Sequence, residues 1–233
     1  MLGKLARRFA NLAFGGSCFL CRGAAEGVLC AACDADLPRL SAPACPRCAL
    51  ATQDGALCGR CLARPAAYDE TVAALAYAFP ADVLVRALKF RSELALAPLF
   101  GQLLAARLPR GVRVDFLLPV PLSAARLRAR GFNQALEIAR TVAAATGCKL
   151  APQLAERSRD TSPQVDLPLA ERGKNVLGAF RCTRDLAGAH IALLDDVMTT
   201  GATLHELAAT LKQAGAARVV NWVLARTPPP ANV

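Results

Sequence analysis

The chain is poor in the groups that most often run acid–base chemistry near neutral pH. Its 233 residues include two histidines, His190 and His205, and neither stands in a triad-like context. His205 falls on the solvent side of a helix start, and no chemistry is assigned to either. Aromatic residues are only 5% of the chain. No run of about 18 uncharged apolar residues occurs, so no membrane-spanning helix is expected. The opening "MLGKLARRFANLAFGG" is basic and mildly amphipathic. It lacks a long apolar h-region and an A-x-A cleavage site, so no secretory signal is expected and the chain reads as soluble and cytoplasmic. Two phosphate-binding fingerprints are also missing. There is no G-x-G-x-x-G after a strand and no G-x-x-x-x-G-K-[ST], which excludes the common dinucleotide and Walker A sites.

What is present allows a real core. Hydrophobic residues make up 54% of the chain, and its length suits one ordinary domain plus a small one. The formal charge is +10, from 23 arginines, 5 lysines and 18 acids. Between Arg86 and Arg130 nine basic residues face two acids, Glu93 and Asp115. Such an excess favours anionic partners such as phosphates and nucleic acids, although a solvated basic surface looks the same in sequence.

Eight of the ten cysteines form four C-x-x-C pairs: Cys18/Cys21, Cys30/Cys33, Cys45/Cys48 and Cys58/Cys61. Each pair sets two thiolates on one tight knuckle, and two knuckles complete a tetrahedral Cys₄ site. Four knuckles imply two structural Zn²⁺ sites with no open ligand position. A disulfide scaffold is disfavoured without a secretory signal, and a thioredoxin-type motif explains one pair rather than four. Sequential pairing is the simplest, though spacing alone leaves interleaving open. Bound zinc would lower the formal charge to about +6. Cys148 and Cys182 stand apart and read as ordinary small apolar residues.

The organisation expected is an N-terminal amphipathic segment (1–16), a double zinc ribbon (17–65), an α/β domain (66–227) and a flexible tail (228–233). Tyr68–Phe79 reads as a strand, and Pro80–Leu108 as helix broken near Ser92 or Pro98. Val114–Leu122 is an apolar strand ending in prolines. Asn133–Gly147 is a helix with Asn133 as N-cap and Gly147 just past its end. Glu156–Asn175 is a long polar connector of the kind that serves as a functional lid. "HIALLDD" is a strand, Thr203–Gly215 a helix and Ala217–Arg226 a last buried strand. Alternating strand and helix from residue 114 onward predict a largely parallel sheet flanked by helices.

"IALLDDVMTTGATLHEL" (Ile191–Leu207) carries the chemistry. An apolar strand delivers Asp195 and Asp196 to its carboxyl end, where parallel sheets bind ligands. The turn that follows leads into a helix N-terminus. Its backbone N–H groups suit a phosphate, with Gly201 permitting close approach and Thr199, Thr200 and Thr203 adding hydroxyls. A phosphate cradle beside two carboxylates suits a phosphorylated sugar. The plainer reading is that the acids cap the helix.

This stretch resembles the phosphoribosyl pyrophosphate (PRPP) motif of type I phosphoribosyltransferases. Zinc knuckles, "LKFR" (Leu88–Arg91), "PVPL" (Pro119–Leu122), "RGFNQ" (Arg130–Gln134), "RDTSPQ" (Arg159–Gln164), "ERGKNVLGAF" (Glu171–Phe180) and "LLDDVMTTGAT" follow in this order. Together they resemble the ComF family, from about residue 12 to 227. Its members look like phosphoribosyltransferases and are associated with DNA uptake in natural competence. One departure is Ser162, where the family usually has the first of two prolines. The resemblance implies a type I phosphoribosyltransferase-like fold. It implies that Thr199, Thr200, Gly201, Ala202 and Thr203 bind the 5′-phosphate of PRPP. Asp195 and Asp196, with Val197 beside them, would hold the ribose, and Mg²⁺ would be held mainly by PRPP. Pro119, Val120, Pro121 and Leu122 would form the pyrophosphate loop, with Arg126, Arg128 and Arg130 adding charge. Glu156–Asn175 would close over the ligand, with Arg159, Gln164, Arg172 and Lys174 as candidates.

Two functions compete. One is a phosphoribosyltransferase with an unknown acceptor. The other is a non-catalytic module that binds single-stranded DNA or a competence helicase and uses PRPP only as a regulatory ligand. Lys89 and Arg91 around Phe90 suit stacking plus phosphate contact, but Phe90 is expected in the core and Asn133 as a cap rather than a ligand contact.

Overall fold

The computed structural model describes residues 16–40, 43–159 and 176–228. Its elements, in chain order, begin with β1 (Gly16–Ser17), β2 (Ala24–Ala25), α1 (Ala31–Ala35) and α2 (Gly59–Ala63). Then come β3 (Glu70–Ala76), α3 (Ala81–Arg91), α4 (Leu96–Arg107), β4 (Phe116–Pro119), α5 (Ala124–Arg130) and α6 (Gln134–Thr146). The last are β5 (Ala155–Arg157), β6 (Phe180–Cys182), β7 (His190–Met198), α7 (Ala202–Gln213) and β8 (Arg218–Arg226).

The central sheet has four strands in the order β3–β8–β7–β4, all parallel. Its two middle strands, "HIALLDDVM" and "RVVNWVLAR", are nearly continuous apolar runs. That is what a strand covered on both faces requires. Alternate residues divide the core. Leu117, Ala192, Leu194 and Trp222 pack against α3, α4 and α6. Leu118, Ile191, Leu193, Val219 and Val223 pack against α7, the β5–β6 pair and the second group of cysteines. Gly101 lets α4 and α6 touch, since a Cβ there would lie 2.4 Å from Thr141 Cβ.

The helices end where their sequences say. The left-handed Ser92 closes α3, and α4 starts at Leu96, so the break falls at the first of the two expected places. The Asn133 side chain accepts from the N–H groups of Ala135 and Leu136, and the left-handed Gly147 closes α6. In α7 the buried residues are Leu204, Leu207, Ala208 and Leu211, one stripe of a 3.6-residue period.

The cysteine-rich region is fastened along the outer edge of β3. The Leu40 N–H donates to Ala74 O at 3.0 Å, Ala76 N–H to Pro38 O at 2.7 Å and Thr71 N–H to Pro46 O at 2.9 Å. The Thr71 hydroxyl donates to Arg47 O at 2.6 Å and accepts from Asn221 Nδ2 at 3.0 Å. An edge that would otherwise present open backbone groups is thereby covered. Among the described residues no helix is long and apolar enough to cross a membrane.

Three expectations need correction. The β7 strand runs two residues past the expected "HIALLDD", to Met198, so Asp195 and Asp196 lie inside it near its carboxyl end rather than as its last residues. Pairing with β8 continues to Met198–Arg226 and keeps the backbone extended there. Phe90 is not core: it is 69% exposed. The buried face of α3 is taken by Leu84, Val85, Ala87 and Leu88, which turns Val83, Arg86 and Phe90 outward together. Arg126, Arg128 and Arg130 are not on a loop but on α5, which Ser123 caps by accepting from Arg126 N–H.

Candidate functional site

The carboxyl ends of β4 and β7 meet at one place. Asp196 is buried among three elements. Lys89 of α3 sets its ammonium 2.6 Å from Asp196 Oδ2. Gln134, at the start of α6, donates from Nε2 to Asp196 Oδ1 at 3.5 Å. Arg130 donates to Gln134 Oε1, and its guanidinium lies 5.6 Å from the Phe90 ring centroid. Asn133 turns its amide the other way and donates to Val120 O at 3.1 Å, fixing the loop after β4. Thus "LKFR", "PVPL", "RGFNQ" and "LLDD" converge although more than a hundred residues separate the first from the last.

Two adjacent carboxyls in so dry a place cannot behave alike. Burial and the neighbouring charge of Asp196 push Asp195 well above the usual carboxylate range. Burial would push Asp196 up too, but Lys89 overrides it by charge and hydrogen bonding, and Asp196 sits below the usual range. The pair therefore offers one firm anion and one carboxyl that holds its proton more readily. Neighbouring hydroxyls of a sugar could be met by both.

The turn after β7 is built for close approach. Gly201 adopts φ +85°, and a Cβ on it would lie 2.7 Å from Met198 Cε and 2.8 Å from Tyr68 Oη. Only glycine fits both the backbone and the space. The Thr200 hydroxyl accepts from Ala202 N–H at 3.3 Å, and α7 then begins. Thr199, Thr200, Ala202 and Thr203 are half-buried around this turn, as is Val197 just before it. An anion over this helix start would meet aligned N–H groups and the positive end of a 12-residue helix.

Pro121 and Leu122 are half-buried and Val120 is buried just beyond β4. At the near end of the connector, Arg159 is exposed and donates to Leu177 O at 2.6 Å. Gln164, Arg172 and Lys174 lie outside the described residues. Sequence reasoning missed Lys89 as the counter-ion of Asp196 and Gln134 as a hydrogen-bond donor to it. No local signal singled out Lys89, since α3 also carries Arg86 and Arg91 and only the fold brings Lys89 to Asp196. Sequence reasoning also missed the Ala67 N–H donating to His205 Nδ1 at 3.0 Å, which gives His205 a structural role.

The remaining cysteine question is settled by geometry. Cys18, Cys21, Cys30 and Cys33 form one group, and Cys45, Cys48, Cys58 and Cys61 the other. Within each group all sulfurs lie within 4.8 Å of one another. The pairing is sequential, as the simplest reading expects. Tetrahedral Zn–S bonds of about 2.3 Å put sulfurs roughly 3.8 Å apart. Cys21 Sγ and Cys30 Sγ are 3.7 Å apart, and Cys48 Sγ and Cys58 Sγ 3.6 Å. The thiols also need a cation. Backbone N–H groups pull Cys18 down to about 6, while desolvation and its sulfur neighbours push Cys33 up to about 12. Four thiolates cannot coexist at this spacing without positive charge among them, so both tetrads fit structural zinc. Cys148 and Cys182 belong to neither group.

Comparison with known proteins matches two family models to the chain. Residues 9–62 match the double zinc ribbon domain, and residues 121–230 match the phosphoribosyl transferase domain. The DNA utilization protein YhgH of Salmonella typhimurium is 37% identical over 222 residues, covering 91% of this chain and 97% of its own. Competence protein F of Haemophilus influenzae is 28% identical, covering 90% and 96%. Among solved structures, the allosteric regulatory enzyme of purine biosynthesis aligns at 21% identity and a TM-score of 0.38, over 56% of this chain and 25% of that one. With double zinc ribbon and phosphoribosyl transferase domains both matched, and a relative above one-third identity along nine-tenths of its length, the chain belongs to the ComF family.

Proposed function

We propose that the chain binds PRPP, with Asp195 and Asp196 taking the ribose hydroxyls and Thr199–Thr203 taking the 5′-phosphate. One observation carries the reading: a half-buried Asp195 and a buried Asp196, of unequal basicity, stand a few residues before a turn whose left-handed Gly201 opens a helix N-terminus. The diphosphate would lie over Pro119–Leu122, near the basic helix that carries Arg126, Arg128 and Arg130. Mg²⁺ would arrive with the diphosphate and offset its charge. The reaction class such a grip serves is phosphoribosyl transfer. The bond from ribose C1 to pyrophosphate breaks, a bond from C1 to a nitrogen nucleophile forms, and pyrophosphate leaves. The protein's part is to hold the sugar and exclude water. By the family resemblance, a closing segment at residues 156–175, of which 160–175 lie outside the described residues, would serve that end.

Calorimetry with PRPP and Mg²⁺ tests this. The wild type should bind, and the Asp195→Ala/Asp196→Ala pair should lose most of the affinity. A wild type that takes up no PRPP sinks the proposal.

A second reading, within DNA uptake, is contact with single-stranded DNA or a partner helicase, with PRPP acting as a signal. It is favoured by the exposed Phe90 beneath Arg130 and by the exposed Phe79, Val83 and Arg86 along the same outer face. Exposed rings interleaved with basic residues suit stacked bases and their phosphates. Salt-dependent binding of an oligonucleotide that persists in the Asp195→Ala/Asp196→Ala pair and falls in Phe90→Ala would support it.

A further inference from the structure

Arg226 closes β8, yet only 2% of it is exposed. Its guanidinium reaches three segments. Nε donates to Cys48 O at 2.8 Å. Nη1 donates to Met198 O at 2.9 Å, to Thr227 O at 2.9 Å and to Thr199 O. Every one of these partners is a backbone carbonyl. A buried cation that spends its donors on four carbonyls organises backbone, and this one also lies beside the Cys48 thiol.

The identity of those carbonyls matters. Cys48 belongs to the second tetrad. Met198 and Thr199 lead into the turn over α7. In a trans peptide the C=O and the following N–H point in opposite directions. Drawing Met198 O and Thr199 O toward Arg226 therefore aims the N–H groups of Thr199 and Thr200 away from it. Other contacts from the same side complete the floor of the turn. Tyr68 stands against Gly201, Ala67 N–H holds His205 in the first turn of α7, and Arg47 Nη1 reaches Ala66 O at 3.5 Å. Arg47 lies between the two cysteines of the Cys45/Cys48 knuckle. The first tetrad has a different neighbourhood, since Phe19, Leu20, Val28 and Leu29 pack on the opposite face of the sheet.

We propose that Arg226 is a positioning residue for phosphate binding. It joins the second cysteine tetrad to the Thr199–Thr203 turn, so that metal in that tetrad and phosphate on that turn strengthen each other's binding. The inference rests on the reading of that turn as the 5′-phosphate site. It assigns the second ribbon a part in ligand binding that the first does not share. Because coupling between two ligands is reciprocal, it can be read from either end.

The test uses the full zinc-loaded protein with ribose 5-phosphate as the probe. Competition with a chromogenic chelator gives the zinc affinity of each tetrad, and Cys33→Ser identifies the signal of the second. Saturating ribose 5-phosphate should raise the zinc affinity of the second tetrad by roughly fivefold or more and leave the first unchanged. Arg226→Met should keep two zinc ions, bind ribose 5-phosphate about tenfold more weakly and lose the coupling. Magnesium pyrophosphate, as a probe of the other loop, should bind Arg226→Met as it binds wild type, which a general collapse would not allow. Arg226→Lys keeps the charge but cannot reach the same carbonyls, and should behave like Arg226→Met. Unchanged ribose 5-phosphate affinity in both variants overturns the proposal. So does a zinc affinity of the second tetrad in wild type that ignores bound ribose 5-phosphate, a result that needs no variant to fold. Failure of wild type to bind ribose 5-phosphate at all strikes instead at the phosphate reading beneath it.

Discussion

Replacing Lys89 with methionine removes the ammonium that lies 2.6 Å from Asp196 Oδ2 while keeping the packing of its stem. The pair is well shielded, with side-chain exposures of 19% and 3%. At an effective dielectric of about 20, unit charges at that separation attract by roughly 6 kcal/mol, and desolvation of both ions takes back a large part. Cutting one partner of such a pair and stranding the other costs about 3 kcal/mol. For a chain of this size that is a drop in Tm of roughly 6–12 °C. The pH dependence makes the prediction specific. Asp196 is held below the usual carboxylate range, so its contribution is present above its unfolded pKa of about 4 and fades as pH falls. Without Lys89, burial pushes that carboxyl up instead, and the penalty is complete at alkaline pH and relieved as the group takes a proton. The gap between wild type and Lys89→Met should therefore be widest near pH 8 and narrow toward about pH 5.5. Urea unfolding across that range measures it. A second substitution, Asp196→Asn, should rescue much of the loss. A gap that is constant with pH, or one that Asp196→Asn deepens, would refute the reasoning.

Asp195→Asn should act in the opposite sense. Burial and Asp196 push Asp195 well up, so the cost of its carboxyl builds as pH rises above its unfolded pKa of about 4 and is complete above its folded pKa, and the amide should stabilise the fold at pH 8 more than near pH 5 in the same assay. Gly201→Ala meets Met198 Cε at 2.7 Å and Tyr68 Oη at 2.8 Å on a backbone at φ +85°, so it should cost about 2 kcal/mol and weaken ribose 5-phosphate binding in calorimetry. Asn133→Ala removes the cap of α6 and the bond to Val120 O, and should cost about 1 kcal/mol in urea unfolding. Metal analysis should give two zinc ions per chain, and Cys61→Ser should abolish one of them, as read by atomic absorption.

Much of this was legible because the chemistry is local. A C-x-x-C pair fixes two sulfurs within four residues, so the four knuckles could be read from spacing, while their pairing into tetrads needed the fold. "DDVMTTGAT" binds strand end, acids, turn and helix start into one segment, and its glycine is demanded by the turn itself. The ends of α3 and α6 were carried by single residues, Ser92, Asn133 and Gly147. What escaped depends on neighbours distant in sequence. Nothing near Lys89 announces Asp196, since the contact exists only because α3 is laid across the end of β7. Phe90 was misplaced because the inner face of α3 was already full of smaller residues. Arg226 ends a run that is apolar but for Asn221, and such an arginine normally marks the return to solvent. Here the chain folds the Cys45/Cys48 knuckle over it, and only tertiary structure reveals that.

The seam along β3 bears on how the protein behaves before its metal arrives. Glu70–Ala76 is a short strand rich in Val, Ala, Leu and Thr, and its outer hydrogen-bonding groups are met by Pro38, Leu40 and Pro46 of the metal-binding region. Those segments have little apolar core of their own and keep their shape through zinc. A chain made in zinc-starved cells would bare that strand as a template on which a second copy could lengthen the sheet. Zinc supply during synthesis should then decide yield, with aggregates of cross-β character forming without it and dispersed protein with it. For this fold the ribbons act as guards of the sheet as well as neighbours of the site.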